Sequence, residues 1–189
     1  MYRLNIKNMV CDRCKAAVRS ALVGIGLAPD RVELGFADVA EEPDEAILSR
    51  VDETLRGMGF ELLRDTRRQT VERIKVLIIE MLRHTDGSAG QNMNVSAFIA
   101  DRMHSDYSAL SKLFSAETGT TIEKYVIAQK VELVKELLSY GEMSLAEIAL
   151  RLNYSSTAYL SSQFKSVTGM TPSAYKSSQS AGRCTLDSL

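Results

Sequence analysis

The sequence is poor in the residues that crosslink a chain or bind metals, since its 189 residues include only three cysteines and two histidines. Three cysteines do not make a disulfide framework, so the close pair Cys11 and Cys14 favours metal binding or redox chemistry. His84 and His104 are isolated in the sequence, and we expect them at the surface or in turns. Cys184 lies in the carboxyl-terminal tail and is expected to have no function.

Long apolar runs and a surplus of one charge are also missing. The longest uncharged runs fall short of a membrane span, and the amino terminus lacks the apolar core of a signal peptide, so we expect a cytoplasmic protein without a membrane partner. The net charge of −1 lacks the basic surplus that is usual in nucleic-acid binders. Residues 1–64 hold 9 basic and 11 acidic side chains, and residues 65–189 hold 14 and 13, so attraction to phosphates should be modest.

What is present is ordinary globular composition, with 45% hydrophobic and 25% charged residues. The length allows two small domains, each with its own core. Tyr2–Lys7 alternates polar and apolar residues as a half-buried strand does. A helix follows, then a strand over 31–39 around Gly35 with a short hairpin to Glu42, a second helix, and a last strand over 60–63. This α+β order, βαββαβ, predicts a ferredoxin-like fold.

The motif MxCxxC, from Met9 to Cys14, follows the first predicted strand, and Asn8 stands directly before it. With this motif, residues 1–64 resemble the heavy-metal-associated (HMA) domain of copper chaperones and metal-transporting ATPases. The residues that match the pattern of that family are Met9, Cys11, Cys14, Gly59 and Phe60. The family often has glycine where Asn8 stands. The resemblance implies that the two cysteines are the metal ligands and that the methionine points into the core.

The spacing of the cysteines suits a soft metal ion. A cation such as Cu(I) prefers two thiolates, and a CxxC pair at a loop-to-helix junction places both sulfurs on one side, where the helix N-terminus favours thiolate. A closed zinc site needs four ligands, and only Cys11 and Cys14 are found here. We therefore expect Cu(I) or another thiophilic metal ion and no organic cofactor. Two alternatives stay open: a relic motif on a domain that now dimerises or binds another ligand, and a thiol redox sensor.

A helix-turn-helix pattern covers residues 143–175. Apolar residues recur at helical spacing from Leu145 to Leu152, and a polar turn then offers Ser155 or Ser156 as the cap of a second helix, which Gly169 ends. The predicted inner face of that helix consists of Tyr159, Leu160, Gln163, Phe164 and Val167. In the helix-turn-helix plan, the second helix lies in the major groove of DNA.

The same unit occurs twice in the chain. An offset of fifty residues aligns the second helices, and an offset of forty-nine aligns the first helices. The pairs at offset fifty are Leu110/Leu160, Ser111/Ser161, Phe114/Phe164, Thr118/Thr168, Gly119/Gly169, Thr121/Thr171 and Tyr125/Tyr175. This repeat predicts two modules, at about 92–120 and 143–170, joined by a helix over 122–139.

The residue pattern of the second copy is more specific than the general helix-turn-helix pattern. It resembles the carboxyl-terminal signature of the AraC family of bacterial transcription regulators at Leu145, Ile148, Ala149, Leu152, Ser155, Leu160, Phe164, Thr168, Gly169, Thr171, Pro172 and Tyr175. The resemblance implies an all-α domain over residues 65–176, in which a long helix bridges two helix-turn-helix modules. An amphipathic helix over 67–85 should open this domain, followed by a flexible loop over 86–91. The tail over 177–189 is expected to be disordered.

The outward face of each second helix must carry the DNA contacts. The candidates are Tyr107, Ser108, Ser111, Lys112 and Ser115 in the first module, and Thr157, Ala158, Ser161, Ser162 and Lys165 in the second. Serine dominates where related regulators place arginine or glutamine, so we expect permissive readout that depends on DNA shape. Lys112 and Lys165 are the expected phosphate contacts. The alternative is a merely solvated polar face.

Together these patterns predict a bacterial transcription regulator, and not an enzyme, with a metal-sensing domain at 1–64 and a DNA-binding domain at 65–176. The expected partner is double-stranded DNA, with RNA polymerase and a second copy of the chain as further candidates. One alternative is a regulator with a relic metal site that responds to a protein partner, a small molecule or redox state. Others are a metal-delivery protein with a helical docking domain and a thiol oxidoreductase.

Overall fold

A computed structural model of the protein describes residues 1–83 and 94–181, with side chains through residue 178. The predicted loop over 86–91 lies outside the described residues, as do His84 and Cys184. The strands are β1 (Tyr2–Lys7), β2 (Pro29–Glu33), β3 (Phe36–Val39) and β4 (Glu61–Leu63). The helices are α1 (Asp12–Gly24), α2 (Glu45–Gly57), α3 (Thr66–Arg83), α4 (Val95–Met103), α5 (Tyr107–Thr118), α6 (Ile122–Tyr140), α7 (Leu145–Arg151), α8 (Thr157–Thr168) and α9 (Pro172–Ala181). Within this described part of the chain, no helix combines the length and apolar character that a membrane span requires.

The described residues fall into two compact units. The first contains residues 1–79 and 99–119, and the second contains the described parts of 80–98 and 120–181. These units have other bounds than the predicted domains, 1–64 and 65–176, which were drawn from sequence resemblance. The predicted domains stay a prediction.

The sheet of the first unit has the strand order β2-β3-β1-β4, and every neighbouring pair is antiparallel. On β1, Leu4 and Ile6 point to one face, and they are buried against α1 and α2. The core of this layer contains Val18 and Leu22 from α1 with Val51 and Leu55 from α2. Burial of each such side chain contributes roughly 1.5–3 kcal/mol. The order of the elements in this layer, βαββαβ, is the one predicted from the sequence.

The predicted strand over 31–39 is wrong in one respect, because the chain turns at Leu34 and Gly35 instead of continuing. Gly35 has φ +84°, a left-handed conformation that a strand residue with a side chain rarely adopts. The turn folds β3 back along β2, with Val32 opposite Ala37. The hairpin thus closes at Gly35, and the proposed extension to Glu42 lies beyond the end of β3.

The second unit is built around the long helix α6. Its inner residues pack against α7 and α8 in a cluster of Val131, Val134, Leu138, Ile148, Ala149, Leu152, Leu160 and Phe164. Thr121 caps the start of α6 by accepting from the Lys124 amide at 3.2 Å, and Gly141 ends the helix in a left-handed conformation. These two signals explain why the helix covers nearly the range predicted for the bridge.

The predicted disordered tail begins in a helix, since residues 177–181 belong to α9. Thr171 accepts from the Ala174 amide at 3.2 Å, and the buried Pro172 occupies the first helical position, where a missing amide hydrogen costs nothing. Tyr175 packs edge-on against Phe164, with ring centroids 5.6 Å apart. A helix anchored in this way extends into a serine-rich segment of poor intrinsic propensity. Residues 182–189 lie outside the described residues.

The second face of the sheet is charged and provides a pH-dependent contact. Arg3 forms two hydrogen bonds to Asp38, at 2.7 and 2.8 Å, and Asp38 is 3% exposed. The hydrogen bonds from Arg3 hold the pKa of the Asp38 carboxyl below its ordinary value of 3.8. A carboxyl with a lowered folded-state pKa stabilises the fold above the unfolded pKa, and this contribution is lost as pH falls through the folded pKa.

We expect Asp38→Asn to lower the free energy of unfolding by about 1–2 kcal/mol at pH 7, a modest value because Arg3 is half exposed. As pH falls below about 4 the difference between the two proteins should shrink, and it should vanish below the folded-state pKa of Asp38, which lies under 3.8, because the wild-type carboxyl is then protonated. Urea unfolding followed by circular dichroism at pH 7 and at lower pH measures both values. A difference that stays constant with pH would show that the Asp38 charge is not the stabilising feature.

Candidate functional site

The first helix-turn-helix module consists of α4, a tight turn and α5. The turn passes through His104, which has φ +49°, and the amide of Ser105 donates to the Ala100 carbonyl at 3.2 Å. Asp106 then caps α5, because its Oδ2 accepts from the Ala109 amide at 2.9 Å. His104 is thus an exposed turn residue, as expected from the sequence.

The second module, α7 and α8, repeats this arrangement with different capping residues. Ser144 and Glu147 form a reciprocal capping box at the start of α7. Asn153 in the turn has φ +56°, and the next amide, that of Tyr154, donates to the Ala149 carbonyl at 2.8 Å. Ser156 is the residue that caps α8, since its hydroxyl accepts from the Tyr159 amide at 3.0 Å.

The two second helices have matching ends. Both α5 and α8 contain 12 residues, and they end at Gly119 and Gly169 with φ values of +71° and +81°. Thr118 donates its hydroxyl to the Phe114 carbonyl at 2.7 Å, and Thr168 donates to the Phe164 carbonyl at 2.8 Å. The repeated residues therefore produce repeated local geometry.

All ten predicted DNA contacts lie outside the buried cores of their units. The exposed ones are Ser108, Lys112, Thr157, Ala158, Ser162 and Lys165. The half-buried ones are Tyr107, Ser111, Ser115 and Ser161. Ser111 and Ser161 thus border the exposed face of each second helix. The geometry leaves these side chains accessible, and their role in DNA contact stays a prediction.

The charge on these faces is positive. Within residues 1–83 and 94–178, neither Lys112 nor Lys165 forms an ion pair or a hydrogen bond with another side chain. The sequence of α8 contains no acidic residue, and α5 contains one, Glu117, which pairs with Arg67 at 3.0 Å. Two lysine ammonium groups are therefore available to an anionic ligand.

The predicted inner face of α8 is wrong at two positions, since Tyr159 is 54% exposed and Val167 is 49% exposed. Leu160 and Phe164, four residues apart, define the buried stripe, and Thr168 continues it by bonding to the backbone. The repeat contained a signal for one of these positions, because Val167 aligns with the charged residue Glu117. Tyr159 aligns with Ala109, which is apolar and gives no such signal, but the Tyr159 side chain is open to solvent in the structure. Tyr159 therefore belongs with the residues that a ligand of α8 can reach.

A polar contact that the sequence did not indicate fixes the turn to α8. The Tyr154 hydroxyl donates to Gln163 Oε1 at 2.9 Å, and the Lys130 ammonium lies 4.9 Å from the centre of the Tyr154 ring. Burial and the nearby Tyr159 raise the pKa of Tyr154 to about 12, so its hydroxyl remains a hydrogen-bond donor at neutral pH. Burial also lowers the pKa of Lys130. Gln163 is thereby held on the inner side of α8.

The dithiol site lies at the start of α1. Cys11 is the N-cap residue, both cysteines are half-buried, and their Sγ atoms are 3.4 Å apart. Met9 is completely buried in the core of the sheet layer, the position that the HMA resemblance implied. Across residues 1–83 and 94–178, no three or more His, Cys, Asp or Glu side chains cluster as metal ligands. Two sulfurs alone fit a two-coordinate thiophilic ion and do not complete a tetrahedral zinc site.

Comparisons with known proteins identify the class of the helical region. Residues 99–178 match the family described as a helix-turn-helix domain. The probable transcriptional regulator LumQ of Photobacterium leiognathi is 24% identical over 77% of this chain and 58% of its own length. The xylose operon regulatory protein of Escherichia coli K12 is 25% identical over 88% of this chain and 47% of its own. The transcriptional regulatory protein YesN of Bacillus subtilis is 35% identical over 41% of this chain and 21% of its own.

Residues 99–178 thus form a helix-turn-helix domain. The relatives of the chain are transcriptional regulators. The chain spans a little over half the length of LumQ and less of the other two relatives. Among solved structures, the C-terminal domain of AraT from Geobacillus stearothermophilus matches 58% of this chain and 84% of its own, with a TM-score of 0.48 and 24% identity. The DNA-binding domain of AdpA in complex with a target DNA matches 58% of this chain and 95% of its own, with a TM-score of 0.47 and 22% identity.

Proposed function

We propose that this chain is a DNA-binding transcription regulator of the AraC type, in which α5 and α8 each enter a major groove. The observation that carries the proposal is the duplicated second helix with an accessible lysine on its polar face, Lys112 in α5 and Lys165 in α8. Lysine ammonium groups neutralise phosphates and release counterions, which supplies most of the sequence-independent affinity for DNA.

The serine-rich faces of α5 and α8 would supply the contacts to base edges. A hydroxyl both donates and accepts, so Ser108 and Ser162 can face several bases with little discrimination between them. We therefore propose permissive direct readout, with additional selectivity from the shape of the duplex. The two helices would enter successive major-groove segments about 34 Å apart, one turn of DNA.

Fluorescence anisotropy of a labelled duplex of arbitrary sequence, titrated at several salt concentrations, tests this function. The affinity should fall as salt rises, with a slope in the logarithmic plot of about −0.9 for each phosphate neutralised. Absence of salt-dependent binding would overturn the proposal and favour the metal-delivery protein with a helical docking domain.

For the amino-terminal region we propose a ferredoxin-like domain of the HMA type that senses a thiophilic metal ion. The strand order β2-β3-β1-β4, with α1 and α2 on one face, supports the fold. The burial of Met9 and the 3.4 Å separation of the two thiols support the metal site, which Cys11 and Cys14 would form. When bound, Cu(I) would supply a soft cation that ties the loop before α1 to the first turn of that helix.

The double substitution Cys11→Ser and Cys14→Ser should abolish metal binding, because a hydroxyl is a poor ligand for a soft cation. After anaerobic purification and loading with Cu(I), mass spectrometry should find about one copper ion per wild-type chain, as expected for one dithiol site. The double variant should retain less than about a tenth of this amount, while the control Cys184→Ser should resemble the wild type. Equal copper content in all three proteins would exclude the dithiol as the site.

A further inference from the structure

The residue before the cysteine motif is held by two hydrogen bonds from different parts of the fold. Asn8 has φ +72°, a left-handed conformation that asparagine tolerates better than most residues. Its backbone amide donates to Glu72 Oε1 of α3 at 3.0 Å, and its side-chain amide donates to the Gly59 carbonyl at 3.0 Å. The start of the dithiol loop is therefore bonded directly to helix α3.

Glu72 is an unusual residue for its position. It is 7% exposed in the middle of α3, and its second oxygen lies 3.5 Å from the Lys75 ammonium one helical turn further on. A buried carboxylate is costly unless its oxygens accept hydrogen bonds. The Asn8 amide supplies such a bond to Glu72 Oε1 from outside α3. Movement of the loop away from α3 would leave a buried acceptor without its donor.

Helix α3 in turn contacts the first helix-turn-helix module. Arg67 in its first turn pairs with Glu117 of α5 at 3.0 Å. A polar cavity of about 240 Å³ lies beside these residues, and its charged lining includes Lys7, Arg68, Glu72, Lys75 and Glu117. The cavity leaves room for the charged side chains to exchange partners when α3 shifts.

We propose that Glu72 couples the state of the dithiol to helix α3, and through α3 to the DNA-contacting helix α5. Closing or occupying the pair Cys11 and Cys14 displaces the loop, changes the hydrogen bond between Asn8 and Glu72, and alters the local stability of α3. The effect on DNA rests on the proposed function, whereas the coupling between the dithiol and α3 does not.

Hydrogen exchange measured by mass spectrometry on the full chain tests the coupling without a metal. The dithiol is compared when reduced and after oxidation by diamide, which accepts the two electrons and two protons that the thiols lose as the disulfide forms. The 3.4 Å between the sulfur atoms must shorten to about 2.05 Å, and the proposal is that the loop shifts as the disulfide forms. In the wild type, we expect exchange rates of amides in residues 66–75 to change by about tenfold, within the usual range of coupling between sites.

Two substitutions at the same position separate coupling from folding. Glu72→Gln keeps an oxygen acceptor for the Asn8 amide and should keep the response, whereas Glu72→Leu removes the acceptor and should reduce the change to less than about twofold. Lys75→Gln is the control, because Lys75 contacts only the other oxygen of Glu72. An unchanged exchange pattern in oxidised wild type would overturn the proposal, and so would a wild-type response in a folded Glu72→Leu protein.

A DNA-binding experiment distinguishes this inference from the proposed function. Anisotropy titrations with the arbitrary duplex compare reduced and oxidised wild type, and then Arg67→Gln, which breaks the ion pair with Glu117. We expect oxidation to change the affinity of the wild type several-fold and that of Arg67→Gln less. A change in α3 exchange without any DNA binding would leave the coupling intact and would remove the proposed function.

Discussion

Replacement of Phe164 by alanine should destabilise the second unit by about 3–5 kcal/mol, the cost usually found for deleting a buried aromatic ring. Phe164 is completely buried between α6, α7 and α8, and its ring also packs against Tyr175 at 5.6 Å. Removal of the ring leaves a cavity at the point where three helices and α9 meet. Since the free energy of unfolding of a domain is typically about 5–15 kcal/mol, this loss would unfold much of the unit near physiological temperature.

Urea unfolding followed by helical circular dichroism measures the effect, and Val167→Ala in the same helix is the matched control. Val167 is half exposed, so its truncation should change the free energy of unfolding by less than about 0.5 kcal/mol. Comparable losses in the two variants would show that α8 buries a different face from the one described.

The double substitution Lys112→Gln and Lys165→Gln should weaken DNA binding by about tenfold for each lysine, because a hydrogen bond to a charged group contributes roughly 1.5 kcal/mol. The salt dependence should decrease as well, by about one unit of slope for each phosphate that a lysine no longer neutralises. Both residues are exposed in the structure, so the protein should fold as before. Because phosphates are the same in every DNA sequence, the variant should lose affinity equally for different sequences.

Anisotropy titrations at two or more salt concentrations measure both quantities. Arg50→Gln, combined with Arg13→Gln, removes the same number of charges from exposed positions on α2 and α1 and serves as the control. If the control loses as much affinity and as much slope as the lysine variant, the binding depends on overall charge and not on α5 and α8.

The helix-turn-helix region could be predicted well because its signals are local. Apolar residues at helical spacing, a polar cap such as Ser156 and a left-handed glycine such as Gly169 each act on backbone groups within a few residues of their own position. The internal repeat added a second, independent copy of each signal. Where the prediction for α8 was wrong, at Tyr159 and Val167, a broad apolar stripe was assumed, although two large residues one turn apart were enough to fill the available space.

The amino-terminal region shows what local patterns leave out. The element order was predicted from alternation and spacing, but the turn at Gly35 was not, because a glycine within an apolar run fits both a strand interior and a tight turn. The hydrogen bond between Asn8 and Glu72 joins residues 64 positions apart, and no sequence pattern in either segment predicts it. Contacts of this kind depend on packing between elements, which a single sequence does not reveal.

Hydroxyl-radical footprinting on a genomic site that the protein occupies tests the central claim most directly. If α5 and α8 both read one duplex, two protected patches should lie on the same face of the DNA, with centres about 10 base pairs apart. Lys112→Gln should weaken one patch, and Lys165→Gln should weaken the other. A single patch, weakened by only one of the two substitutions, would contradict a duplicated DNA-reading unit.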